Sequence, residues 1–401
     1  MKNIAILGFG VVGRGCADLL AQNAGEVARL AGEDVRIARI LDLRDFPGTP
    51  YETLVTHDFA DIENDARIDT VIETMGGSHP AYEYTLRALS AGKNVITSNK
   101  EVVSRFGDEF LRLAKERGVC YRFEAAVGGG IPVLSPLIGF LGQNRIDEVR
   151  GILNGTTNYI LTEMFTYGTS FDAALENAQK LGYAERDPSA DILGLDAARK
   201  LVILTALVTG KLFPVESIPT EGITAIRARD VANAGRLGCN IKLLGRCVIG
   251  EDGAVTAVVA PFMLPRDLPL SGTLGVYNAV EVVGEPIGNV MFYGRGAGAG
   301  ATASAVIGDL VQVACSGRHA PHPSFTKTEE GLRDFDDFEA QNYIALEEKF
   351  REEVKAHFGA VQFLADEDEC AFLTVKIREG DVRRILAEMN AEPLARIRLL
   401  K

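Results

Sequence analysis

The chain has 401 residues, 47% of them apolar, and 42 basic residues against 55 acidic ones give a net charge of -13. That size allows two or three domains with real cores, while an acidic balance with no basic cluster excludes nucleic acid as a partner and leaves a small molecule. No apolar run is long enough to span a bilayer, so no membrane role is expected.

KNIAILG, at residues 2 to 8, predicts a short apolar strand, and because it starts at once no signal or transit segment is expected before it; the expected location is the cytoplasm. The strand runs into Gly8-Phe9-Gly10-Val11-Val12-Gly13 and then a helix pattern through Ala17, Leu19 and Leu20. A G-x-G-x-x-G between strand and helix predicts a dinucleotide turn: one glycine for the tight turn, one for approach of a pyrophosphate, one for helix packing. A purely structural turn is the other reading.

VRIARILDL, IDTVIETM and KNVIT predict further strands alternating with helices such as AYEYTLRALSAG, which is the pattern of an α/β, Rossmann-type doubly wound parallel sheet. Asp42, at the end of the second strand, suits the ribose 2'-hydroxyl of NAD, and Arg44 suits the 2'-phosphate of NADP; both could also be solvated loop charges. The choice between NAD and NADP stays open, with a slight lean to NADP.

From about Val119 the segment YRFEAAVGGGIPVLSPLIG places three glycines where backbone must come close to something. Beyond it, strand patterns such as EVRGILNG and RCVIG mixed with helices predict an α+β substrate and dimerisation domain. Within that domain Leu181 to Lys200, LGYAERDPSADILGLDAARK, gathers Tyr183, four carboxylates and Lys200 before the apolar run LVILTALV. Desolvation lowers the pKa of an ammonium and neighbouring carboxylates raise it, so a lysine at the mouth of a buried helix is suited to acid/base work. An ordinary i,i+4 ion pair of Asp196 with Lys200, worth about 0.2 to 0.5 kcal/mol, would use the same residues.

GRGAGAGATASAVIGDLVQVA predicts a glycine loop and a helix that returns to the first domain, the loop being a phosphate cradle or a plain turn. RHAPHPSFTKTEEGLRDFDDFEAQ reads as a linker, in which His319 and His322 carry no assigned chemistry. The remainder has the order strand, helix, strand, strand, helix, strand. The expected division is 1–130 with a returning helix at about 296–318 for the dinucleotide, 131–295 for the substrate, 319–339 as linker and 340–401 as a small βαββαβ module. Six cysteines without a C-x-x-C pair predict free thiols.

Six segments, GFGVVGRG, VITSNK, FEAAVGGGIPVL, GILNGTTNYIL, LGYAERDPSADILGLDAARK and GRGAGAGATASAV, stand in an order that resembles homoserine dehydrogenase over most of residues 1 to 320. The resemblance implies NAD(P)H-dependent reduction of L-aspartate 4-semialdehyde to L-homoserine, in threonine, isoleucine and methionine biosynthesis. It implies Lys200 as the acid/base and Lys100 as a second lysine beside cofactor and reacting centre, the alternative for Lys100 being phosphate neutralisation alone. Glu185 and Asp196 match substrate-contacting carboxylates, with Asp191 and Tyr183 beside them. Asn154-Gly155-Thr156-Thr157 would present amides and hydroxyls to the substrate carboxylate, although a helix cap would use the same residues. Phe9, Gly10, Val11, Val12, Gly13 and Gly298 match cofactor contacts. Glu124, Val127, Gly129 and Ile131 match a site for a monovalent cation, sodium or potassium, bound mainly by carbonyl oxygens.

The module at 340–401 resembles an ACT domain without the Asp-x-Pro-Gly turn that usually serves amino-acid feedback, which leaves dimerisation as its expected use. The assembly implied is a homodimer or homotetramer. Two other readings are another NAD(P)-dependent amino-acid dehydrogenase of similar architecture and a non-catalytic nucleotide or amino-acid sensor; Lys200, Glu185 and Asp196 argue against the sensor.

Overall fold

Ile4, Ala5, Ile6 and Leu7 are fully buried, and a strand apolar on both faces belongs in the middle of a covered sheet. In the computed structural model, which describes residues 1–316, 322–365 and 368–400, the strand Lys2–Leu7 pairs in parallel with Val35–Leu41 on one side and Ile68–Glu73 on the other. His319 and the neighbouring start of the expected linker lie outside the described residues. The chain forms two compact units: Met1–Arg145, Val202–Val215 and Gly294–Thr328 make the first, and Ile146–Leu201, Glu216–Tyr293 and Glu329–Lys401 the second.

The first unit holds a six-stranded sheet in the order Val55–Thr56, Val35–Leu41, Lys2–Leu7, Ile68–Glu73, Asn94–Thr97, Tyr121–Arg122, with every pairing parallel. Chain order therefore reverses at Lys2–Leu7, which creates the switch-point crevice where such sheets bind ligands. The helix Val11–Gln22 buries Gly13, Cys16, Ala17 and Leu20, a spacing that fits one helical face. The helix Ala299–Ser316 adds Ala303, Val306, Ile307, Leu310 and Val313 to the same core as Ile4, Ile6 and Cys16.

The second unit is built on a mixed sheet. From edge to edge its strands are Gly288–Arg295, Tyr277–Glu285, Arg145–Ile152, Cys239–Ile249, Val255–Pro265, Ala395–Leu399, Glu339–Glu347, Glu369–Leu373 and Gln362–Phe363. The sequence reading sets 340–401 apart as a module; in the structure its strands continue this sheet, through Phe262 and Met263 paired in parallel with Arg398 and Leu399. That pairing joins residues far apart in the chain, which no local pattern announces. Ile344, Leu346, Phe372, Val382 and Ile385 form the core beneath these last strands. Among the described residues no helix is long and apolar enough to cross a membrane, and all six cysteines are free thiols.

Candidate active site

In the first unit, the turn after Lys2–Leu7 is set by close packing. A Cβ on Gly13 would lie 2.1 Å from the Gly8 carbonyl oxygen, whereas one on Gly10 would meet nothing within 4 Å, so the outer side of the turn is open to a pyrophosphate. Gly10 caps the helix Val11–Gln22 without any side-chain hydrogen bond, and no acidic residue occupies its first turn. Its N-terminal amides suit an anion. Val11 is exposed beside them.

Phe9 points the other way. Its ring is buried edge-on against Phe46 and Tyr51, at 5.1 and 5.2 Å between centroids. The Phe9 amide donates to Asp42 Oδ2 at 2.7 Å and its carbonyl accepts from Arg44 Nη2 at 3.2 Å. Phe9 thus shapes the turn from within.

Asp42 and Arg44, read from sequence as rival markers for NAD and NADP, are partners. Arg44 Nε and Nη2 donate to the Asp42 carboxylate at 2.9 and 3.0 Å. Those bonds, helped by the Phe9 and Arg44 amides and opposed by burial, hold Asp42 at a pKa of about 2. Asp42 is turned inward, while the Arg44 side chain is 62% exposed over the Phe46 ring. Arg14, which sequence reasoning passed over although it directly follows Gly13, lies over both Phe9 and Phe46 at 5.7 Å. Two guanidinium groups therefore flank one aromatic patch.

Lys100 opens the helix Lys100–Arg117, whose N-cap is Asn99; the Asn99 side chain accepts from the amides of Glu101 and Val102 at 3.1 and 3.4 Å. Gly298, at φ +112°, precedes the helix Ala299–Ser316, and its carbonyl accepts from the Thr302 amide at 3.0 Å.

The glycine run 128–130 is pressed against the later glycine loop of the same unit: a Cβ on Gly129 would lie 2.5 Å from the Gly296 oxygen. Glu124, Val127, Gly129 and Ile131 are all buried. The Glu124 carboxylate is spent on a helix start, accepting from the amides of Val133, Leu134 and Ser135 at 2.7, 2.8 and 2.6 Å. A cation here would meet the buried carbonyl oxygens of this turn, which are the donors a hard monovalent ion prefers. A second carboxyl is close by: Asp309 accepts from the Glu124 amide at 2.8 Å, and burial, then the Glu124 charge, pushes Asp309 up to about 7.

In the second unit, Lys200 lies on the helix Leu195–Thr209 and is only 9% exposed. Its Nζ donates to Asp196 Oδ2 at 2.7 Å and to the Leu153 carbonyl at 2.7 Å. An ammonium has three N–H groups, and these contacts take two. The pair is buried, unlike an ordinary i,i+4 surface pair. Asn154 Nδ2 donates to Asp196 Oδ2 at 2.9 Å and to Asp191 Oδ1 at 2.7 Å, so one amide spans both carboxylates. Asn154 Oδ1 meanwhile accepts from the Thr157 amide at 2.9 Å and caps the helix Gly155–Tyr167, which fixes the orientation of that amide. Burial, and then the Asp196 charge, holds Asp191 above the usual carboxylate range.

Glu185 and Tyr183 stand outside this cluster. Both are exposed; the Tyr183 ring leans on Tyr159 at 5.1 Å, its carbonyl accepts from Thr156 Oγ1 at 2.6 Å, and the Glu185 carbonyl accepts from Gln179 at 3.1 Å. The turn after Ala184 carries Glu185 outward, so of the four residues assigned to substrate the structure gathers Asp191 and Asp196. Sequence reasoning missed the span made by Asn154. It also missed Lys242, buried in the strand Cys239–Ile249, whose Nζ donates to Asn158 Oδ1 at 2.8 Å and to the Thr273 carbonyl at 2.5 Å; burial pushes it down to about 7. The only signal was a lysine inside the apolar run NIKLLG.

A switch-point crevice with an open glycine turn, and a separate buried lysine with two carboxylates, define a nicotinamide-dependent oxidoreductase of a small polar substrate. Comparison with known proteins narrows the class. Residues 132–311 match the family described as homoserine dehydrogenase, and residues 8–124 match its NAD binding domain. The homoserine dehydrogenase of a Synechocystis species is 46% identical over 315 residues, covering 77% of this chain and 72% of that one. The crystal structure of a homoserine dehydrogenase from Thiobacillus denitrificans superposes with a TM-score of 0.89 at 34% identity, covering 100% of this chain and 98% of the other. A hyperthermophilic archaeal homoserine dehydrogenase mutant in complex with NADPH matches at a TM-score of 0.66 and 29% identity, over 78% of this chain and 97% of that one. The chain belongs to the homoserine dehydrogenase family and is an oxidoreductase of amino-acid biosynthesis that uses a nicotinamide cofactor.

Proposed function

We propose that Lys200 is the acid/base of the reaction that interconverts L-aspartate 4-semialdehyde and L-homoserine, and that Asp191 and Asp196 receive the α-ammonium group of the substrate. The observation that carries this reading is the buried cluster of Lys200, Asp196, Asn154 and Asp191. With all groups ionised, two carboxylates and one ammonium leave a net charge of -1 in a partly dry site, which an amino-acid ammonium neutralises through charge-assisted hydrogen bonds. A nicotinamide cofactor held at the glycine turn 8–13 would supply the hydride for the aldehyde carbon. Lys200 gives a proton to the developing alkoxide, Asp196 and the Leu153 carbonyl hold its Nζ in place, and bulk solvent restores the proton; in the reverse direction Lys200 takes the hydroxyl proton. Lys100 adds positive charge on the cofactor side. Glu185 is exposed and stands outside this cluster.

The cofactor is NADP in preference to NAD, because Asp42 is engaged inward and Arg44 stays exposed. A monovalent cation, sodium or potassium, would be held by carbonyl oxygens of Glu124, Val127, Gly129 and Ile131, as a structural charge. The free thiols fit a reducing cytoplasm, and the exposed edge strand Gly288–Arg295, with Met291 and Tyr293 uncovered, fits a homodimer or homotetramer. Comparing kcat/KM for NADPH and NADH with aspartate semialdehyde tests the reading. The expected result is turnover with both and a higher value for NADPH; no turnover with either in sodium or potassium buffer would refute it.

A further inference from the structure

We propose that Glu73 is a positioning residue that sets the cofactor turn and Lys100 together. Glu73 ends the central strand Ile68–Glu73 and is fully buried. One carboxyl oxygen accepts from the Met75 amide at 2.7 Å and the other from Thr97 Oγ1 at 2.5 Å. Each contact leads to a different part of the cofactor side.

Through Met75 the link runs to the glycine turn. Met75 Cγ lies 2.9 Å from where a Gly8 side chain would begin, and the adjoining Thr74 donates from its amide to the Leu7 carbonyl at 2.9 Å and from Oγ1 to the Gly8 carbonyl at 2.7 Å. Through Thr97 it runs to Lys100: Thr97 Oγ1 accepts from the Asn99 amide at 2.9 Å, and Asn99 caps the helix that Lys100 begins. Asn99 Nδ2 also donates to the Gly77 carbonyl at 2.8 Å, and the Ser98 amide donates to the Glu73 carbonyl at 3.3 Å, which closes the two strand ends on each other.

The chemistry requires a carboxylate. Two donors converge on Glu73, and glutamine sets a donor nitrogen against one of them and leaves the other on an uncharged oxygen, so it weakens both branches. Burial pushes Glu73 up to about 7 against the pull of Thr97, Met75 and Asn99. A carboxyl kept at that cost, at the end of a strand beside the crevice, is explained by what it holds.

The proposal rests, for its second branch, on Lys100 acting at the cofactor side. The test measures NADPH affinity by fluorescence titration and steady-state kinetics on the full-length enzyme. Glu73→Gln should weaken NADPH binding and lower kcat by about tenfold each, the equivalent of one lost buried hydrogen bond to a charged group. Its KM for aspartate semialdehyde should stay unchanged. Thr97→Val cuts only the Lys100 branch, so kcat should fall while NADPH affinity stays; this variant decides the matter if Glu73→Gln does not fold. Wild-type values for both variants, or a loss that tracks unfolding and raises both KM values alike, would overturn the proposal. Lys100→Ala, run in parallel, separates the two ideas: unchanged kcat there removes the role of Lys100, while the NADPH titration of Glu73→Gln still judges the turn.

Discussion

Arg398 and Lys200 are both buried cations of the second unit held by carboxylates, yet the two clusters differ in what they leave over. Arg398 donates from Nε and Nη2 to Glu379 at 3.0 and 2.7 Å, and from Nη1 and Nη2 to Glu221 at 2.6 and 2.8 Å. Four of its five N–H groups are engaged, and a guanidinium does not lose its proton in a protein. Lys200 makes two bonds, has a proton it can give, and sits with one more carboxylate than its own charge balances. Burial of charge is common to a staple and a site. An exchangeable proton belongs to the site alone, and so does an unbalanced charge, because Arg396 at Glu379 supplies the second cation that the two carboxylates around Arg398 require.

Mutations at the two clusters should therefore separate stability from turnover. Arg398→Leu leaves Glu379 and Glu221 without their main partner, though Arg396 still reaches Glu379. It should cost about 3 kcal/mol in chemical denaturation, near the lower end for breaking a buried pair, with kcat per folded molecule unchanged. A loss under about 1 kcal/mol would mean that the staple is not one. Asn154→Ala removes the amide that spans Asp191 and Asp196. It should lower kcat/KM for aspartate semialdehyde about tenfold and cost about 1 kcal/mol as a lost helix cap. If only the stability falls, the bridge is a cap and nothing more.

Sequence and structure agree best where a feature is local. The glycine turn is legible because strand, turn and helix follow one another within about twenty residues, and the Asp196–Lys200 pair because four residues is one helical turn. The roles of Phe9 and Asp42 were not legible: what turns Phe9 inward is Phe46 and Tyr51, and what occupies Asp42 is the Arg44 guanidinium together with the Phe9 amide. Asn154 reaches carboxylates 37 and 42 residues away, a meeting that only the fold arranges. Glu73 reads in sequence as the last letter of a strand, and its two donors come from the next residue but one and from a different strand. The placement of 340–401 on the second unit's sheet depends on a strand pairing across more than a hundred residues.

The most direct test of the comparison is the kcat of Lys200→Arg at saturating aspartate semialdehyde and NADPH. Arginine keeps the positive charge and can still pair with Asp196, but it holds its proton too tightly to pass it on. If Lys200 transfers the proton, kcat should fall by about a hundredfold or more with the fold intact. A variant within a few-fold of wild type would show that the site needs only a charge at this position, and would contradict the role given to Lys200.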